Sequence, residues 1–173
     1  MGWSLWGKTA RMARVKAEVD VALAEVDRLS EEKKWAAALA AAERAKAAMA
    51  GGEIPSHTRT RIARALSDVT LVQQLESARL LESQTLEDRV FGPVDDAYAD
   101  AFRNADVHID TMTVDEASRR LQLRTRIRDE VAAGLTQWAL IKNLKYFNDA
   151  DGAQTLLTIA DAIDPNLWRQ RLR

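Results

Sequence analysis

The sequence predicts an all-α fold of six or seven helices packed as antiparallel hairpins, either a bundle or a short solenoid. Three observations carry this reading. Only 7 Gly and 3 Pro interrupt 173 residues, and the chain is rich in alanine, the strongest helix former. Apolar residues recur at alternating spacings of three and four, the period that aligns them on one helical face. No segment sustains the apolar–polar alternation of a half-buried strand. With 47% hydrophobic and 29% charged residues, the composition is globular, and a chain of this length can bury about 70% of its unfolded surface.

The first helix is expected over 8–31, with Met12, Val15, Val19, Ala22, Val26 and Leu29 as its stripe. The polar run Ser30 to Lys34 breaks the pattern. A second helix follows over 34–50, in which Trp35, Leu39 and Met49 are the large apolar residues and Ala38, Ala42 and Ala45 allow close approach. Gly51-Gly52 ends it, because glycine accepts the left-handed conformation found just past a helix C-terminus. Two helices, a short turn and alanines at packing positions describe a helical hairpin of the tetratricopeptide kind. The domain reading is a flexible or membrane-proximal start over 1–11, a tetratricopeptide-like hairpin over 12–52, and a bundle over 53–173 packed on it as a single compact module.

Residues 53–56 read as a linker. A third helix, 57–86, is amphipathic early through Ile62, Leu66 and Val69. Later it is apolar nearly all round through Leu71, Val72, Leu75, Leu80 and Leu81, which predicts a central position. Gly92-Pro93 is strong punctuation, since proline suits a first helical turn. A short helix over 94–104 carries Ala97, Tyr98, Ala101 and Phe102, and a loop runs to Met112. Thr113 and Glu116 have capping-box spacing. The next helix is expected over 114–145, bent near Leu121, with Leu123, Ile127, Val131, Leu135, Trp138 and Ile141 as its stripe. After a turn over 148–152, a helix over 153–163 carries Leu156, Leu157, Ala160 and Ile163. Asp164-Pro165 opens a last short helix that buries Trp168 and Leu172.

Charge and composition exclude several function classes. Lys plus Arg is 25 and Asp plus Glu 26, which argues against a dedicated nucleic-acid binder. Cys is 0, which removes disulfides, thiol catalysis and thiolate metal sites. There is neither an apolar run of spanning length nor a secretory leader, so the chain is expected to be soluble as given. Trp3 and Trp6 precede Lys8, Arg11, Arg14 and Lys16. Packing of these tryptophans on a neighbouring helix is the first reading, and a membrane-proximal edge the second.

The catalytic inventory is sparse. The only histidines, His57 and His108, stand in no recognisable catalytic motif. Asp106, His108 and Asp110 alternate in a loop and read as solvating residues ahead of metal ligands. Asp149 to Gly152 superficially resembles a calcium loop, but Phe147 and Thr158 would stand where carboxylates are required. Asp95, Asp96 and Asp100 read as complements to a helix dipole. Glycine-rich phosphate loops and kinase signatures are absent from the sequence. No catalytic residue, cofactor or metal is therefore nominated. Arginines crowd the starts of the third and fifth helices and the C-terminus, and read as surface ion-pair partners before interface anchors.

The stretch Asp96-Ala97-Tyr98-Ala99-Asp100-Ala101-Phe102-Arg103, the segment Val131 to Leu140 with Trp138-Ala139, and the ending Asp164-Pro165-Asn166-Leu167-Trp168-Arg169-Gln170-Arg171-Leu172-Arg173 together resemble a helical region of planctomycete-type serine/threonine protein kinases. In that family a kinase domain is followed by a membrane helix, this helical region, and tetratricopeptide repeats. The hairpin from Val15 to Met49 also resembles the family's first helical pair after the membrane, so the resemblance covers residues 12–173. The chain departs where the family carries glycine after the Phe-Arg helix, having Asn104 and Asp106, and where it carries an acidic residue before Trp-Ala, having Thr136 and Gln137. The resemblance implies a bacterial regulatory or scaffolding segment of a longer signalling kinase, with no catalytic residue of its own.

The function expected from all this is a non-catalytic protein-interaction or regulatory module. Its partner would be a protein or a neighbouring repeat domain, not nucleic acid, with membrane proximity only through an adjacent segment. The alternative is a structural spacer or dimerisation module near a membrane. A third reading is a free-standing helical enzyme using His108 and loop carboxylates. Trp3, Trp6, Arg169, Arg171 and Arg173 are the candidate interface residues. Trp35, Tyr98, Phe102, Trp138 and Trp168 are the expected core anchors.

Overall fold

Val15, Val19, Ala22, Val26 and Leu29 are all buried, and they line one face of the helix α1 (Trp3–Glu31). The computed structural model describes residues 3–50, 54–85, 91–144, 148–164 and 166, with side chains from residue 9 onward. After α1 come α2 (Trp35–Met49), α3 (Ser56–Thr85), α4 (Gly92–Asn104), α5 (Val114–Gln122), a 3-10 turn (Thr125–Ile127), α6 (Arg128–Lys142) and α7 (Ala150–Ile163). Among the described residues the chain is all helix and loop, without a strand.

The fold comprises two compact units, Met1–Thr70 and Leu71–Arg173. The division falls inside α3, not at the linker over 53–56. A helix that is apolar on more than one face can bury its first half in one cluster and its second half in another. Of residues 1–11, read from sequence as a flexible or membrane-proximal start, those from Trp3 onward belong to the backbone of α1.

In the first unit α1 and α2 pack closely on each other. Arg44 of α2 donates to Glu25 of α1 at 2.6 Å across the hairpin. Ala38, Ala41, Ala42 and Ala45 are fully covered, so small side chains let the helices approach. The turn is fixed by its backbone. Lys33 has a φ of 56°, Lys34 N–H donates to Leu29 C=O at 2.8 Å, and Lys33 N–H donates to Ser30 C=O at 3.0 Å. This pair of bonds satisfies the last carbonyls of α1. Met12, expected on the buried stripe, is 43% exposed. With 15 residues, α2 is too short to cover the first turns of the 29-residue α1. Gly51 and Gly52, expected to end α2, lie outside the described residues; the helix stops at Met49 with Ala50 as its cap.

In the second unit α4 and α7 pack on α6, and α5 packs mainly on α7. Val131, Leu135, Trp138 and Ile141 are buried as the spacing predicts. Leu123 is not: it is 70% exposed. The expected single helix over 114–145 is two helices, and the break at Leu123–Arg124 resets the helical phase, so Leu121 takes the buried place. Arginines satisfy the carbonyls this break frees: Arg128 donates to Gln122 C=O at 3.0 Å. Leu80, expected to be buried in α3, is 62% exposed, whereas Leu71, Val72, Leu75 and Ala78 are covered. Gly134 allows the later half of α3 to approach α6, because a Cβ there would lie 2.8 Å from a Leu75 methyl. The expected last helix after Asp164, with Trp168 and Leu172, lies outside the described residues.

Candidate functional site

The second unit contains a cleft of about 400 Å³, and its floor begins with the spacing of α4. Tyr98 and Phe102 stand one turn apart, so both point to the same side of the helix. Both are fully buried. The Trp138 ring from α6 lies nearly parallel to each, 6.3 Å from Tyr98 and 5.7 Å from Phe102 between centroids. Such offset aromatic contacts add to area burial.

The polar edge of Trp138 is tied down as well. Its Nε1–H donates to Asp95 Oδ1 at 2.6 Å. Lys142, one turn further along α6, places Nζ 3.2 Å from Asp95 and 3.2 Å from Asp149, and 5.6 Å from the centre of the Trp138 ring. Asp149 also caps α7, accepting from Gly152 N–H at 2.9 Å. One ammonium thus joins α4, α6 and the start of α7.

The Lys142 ammonium and the Asp149 carboxylate are each held in their ionised form. Burial alone would push the Lys142 ammonium down, but hydrogen bonds and charge from Asp95 and Asp149 outweigh it, and its pKa lies above the ordinary lysine value. The Gly152 amide, and after it Lys142, hold the Asp149 carboxyl below its ordinary value. Behind the stack, burial first and the nearby Glu82 carboxylate second push the Tyr98 phenol up to about 12, against a smaller opposing pull from Arg79. The Tyr98 hydroxyl is buried without a hydrogen bond of good geometry to a described residue.

Asp96, Ala99, Arg103, Ile109, Asp110, Thr155 and Leu156 complete the lining. Arg103 is paired with Asp100 at 2.6 Å. No described residue pairs with Asp96 or Asp110, and both are exposed.

Sequence reasoning recognised some of these residues and missed the assembly. Tyr98, Phe102 and Trp138 are core anchors as expected, and so is Trp35 in the first unit. Asp95 does more than complement a helix dipole, because it organises Trp138 and Lys142. Its tryptophan partner is 43 residues away, and no spacing rule links them. Lys142 stands in the last turn of α6, where a lysine ordinarily reads as a dipole complement. Of the loop trio, Asp110 lines the cleft, whereas Asp106 and His108 do not. Among the described residues no three His, Asp or Glu side chains gather to hold a metal. The candidate interface residues Trp3 and Trp6 lie on α1 with side chains outside the described set, and Arg169, Arg171 and Arg173 lie outside the described residues. The arginines crowding α5 are not only ion-pair partners: Arg120 donates to Asp106 C=O and Arg124 to Ala105 C=O, each at 2.7 Å, which pins the loop that carries Asp110.

No family model, curated protein or solved structure matches the chain. No described helix is long and apolar enough to cross a membrane.

Proposed function

We propose that the chain is a non-catalytic protein-interaction module of a regulatory protein, a tetratricopeptide-like segment of a larger serine/threonine signalling kinase. One observation carries the reading. Of the residues on which the kinase-associated resemblance rests, Phe102 and Arg103 in α4 and Trp138 in α6 line one open cleft, and Tyr98 stacks on Trp138 behind it. Its central charges are committed to each other: Lys142 stays protonated, Asp149 stays ionised, and the Trp138 indole is fixed on Asp95. Groups locked in this way give a rigid, shaped surface for recognition and do not shuttle protons.

The departure from the resemblance at Asp106 also fits. Asp106 has a φ of 60°, the left-handed position just past α4 where glycine is most at home. The backbone is the one glycine would adopt, with Val107 N–H donating to Phe102 C=O at 3.0 Å.

Peptide display on the full chain tests this reading. Selection should enrich short segments whose binding is lost in Thr155→Trp, a substitution that fills the cleft. Selection of nothing above background, or of peptides indifferent to Thr155→Trp, would contradict it.

A further inference from the structure

We infer that the cleft of the second unit receives a basic peptide segment of a partner protein, with Asp96 and Asp110 as the groups that select for positive charge. The inference rests on the interaction reading above and names the chemistry of the occupant. The lining holds four carboxylates, on Asp95, Asp96, Asp110 and Asp149, and two cations, on Arg103 and Lys142. Lys142 is taken up by Asp95 and Asp149, and Arg103 by Asp100, which lies outside the lining. The charges without a described partner are therefore both negative. They come from different elements, Asp96 from α4 and Asp110 from the loop before α5.

The arrangement suits spaced organic cations better than a point ion. No three carboxylate or imidazole groups among the described residues are placed so that they could hold a metal ion, whereas a divalent cation needs a compact oxygen cage. Between the charges the walls are apolar, with Ala99, Ile109 and Leu156. Alkyl stems of lysine or arginine lie well along such a surface while their heads reach carboxylates. The cleft falls within the usual size of a binding pocket, about 300–1,000 Å³, enough for a few peptide side chains. A phosphate-bearing partner, nucleic acid or an anionic membrane would meet repulsion here.

Fluorescence anisotropy with a labelled Arg-Gly repeat peptide, a matched Glu-Gly peptide and the full chain tests this. The Arg-Gly peptide should bind, more weakly as salt rises, and the Glu-Gly peptide should not. Asp96→Asn with Asp110→Asn should weaken binding roughly tenfold or more, with an unchanged circular dichroism spectrum, since both side chains are exposed. Equal binding by wild type and the double variant, binding of the Glu-Gly peptide, or stoichiometric uptake of magnesium or calcium at Asp96 and Asp110 would overturn the inference. If display yields cleft-dependent peptides without basic residues, the interaction reading stands and this one falls. If display yields no cleft-dependent peptide, the interaction reading itself falls.

Discussion

Trp138 concentrates the energetics of the second unit in one side chain. It is 5% exposed, lies beside two aromatic rings, donates to Asp95 and carries Lys142 over its face. Trp138→Ala should cost roughly 3–5 kcal/mol, as emptying a large buried site does, read from urea denaturation midpoints. Trp138→Phe should cost less, because it keeps most of the packing and loses the indole hydrogen bond. An unchanged midpoint in Trp138→Ala would show that the stack does not form. Tyr98 gives a second residue-scale test. Its folded pKa, raised to about 12 by burial and Glu82, exceeds the unfolded value. Stability from this group is therefore complete below pH 10 and is lost between about pH 10 and 12. Phenolate absorbance should show one tyrosine titrating late, and Tyr98→Phe should remove that component. Normal titration of both of the chain's tyrosines would contradict its burial.

Helix ends and close approaches decide events at the scale of elements. Asp149 caps α7 and pairs with Lys142. Asp149→Ala should cost about 1 kcal/mol through the cap, with a further loss from leaving Lys142 half-paired. Because the Asp149 pKa is lowered on folding, its contribution is present above the ordinary carboxylate range and is lost as pH falls through the depressed value. Lys142 behaves oppositely, its contribution ending as pH rises through its raised value. The stability difference between Asp149→Ala and wild type should therefore shrink in acid; a difference constant with pH would contradict the pairing. At Asp106, φ is 60°, so Asp106→Gly should stabilise by about 1 kcal/mol by relieving a left-handed side-chain conformation, read as a rise in Tm. A fall would show that the Asp106 side chain has a structural task. Where α3 meets α6, Gly134→Ala and Leu75→Ala should be non-additive, coupled by about 0.5–3 kcal/mol, since the new Cβ occupies the space of the Leu75 methyl.

These elements also mark how far the sequence could be read. Helix existence was legible, because the three-and-four period of Val15 to Leu29 and of Val131 to Ile141 reports directly on burial. The cap at Thr113 was legible in half: its hydroxyl accepts from Glu116 N–H at 3.2 Å, but the Glu116 carboxylate takes Arg120 at 2.8 Å and so is engaged away from the reciprocal bond. Leu123 misled because a stripe continues across a broken helix on paper and not in space. The break itself is held by Arg124 and Arg128 reaching backbone carbonyls, contacts that leave no periodic trace.

The chain as a whole is nearly neutral, at −1, yet the second unit leaves a locally negative cleft. A net charge cannot reveal that, since pairing is decided by partners such as Lys142 and Asp95, which lie 47 positions apart in the sequence. The proposed recognition surface is a fixed aromatic floor bordered by carboxylates that have no partner among the described residues. Nitrogen–proton correlation spectra of the tryptophan indoles, with Trp138 assigned through Trp138→Phe, test both halves of that proposal in one titration. The Trp138 indole proton should exchange slowly with water, and its signal should shift as the Arg-Gly peptide is added. A Trp138 signal that exchanges freely and stays put throughout the titration would contradict it.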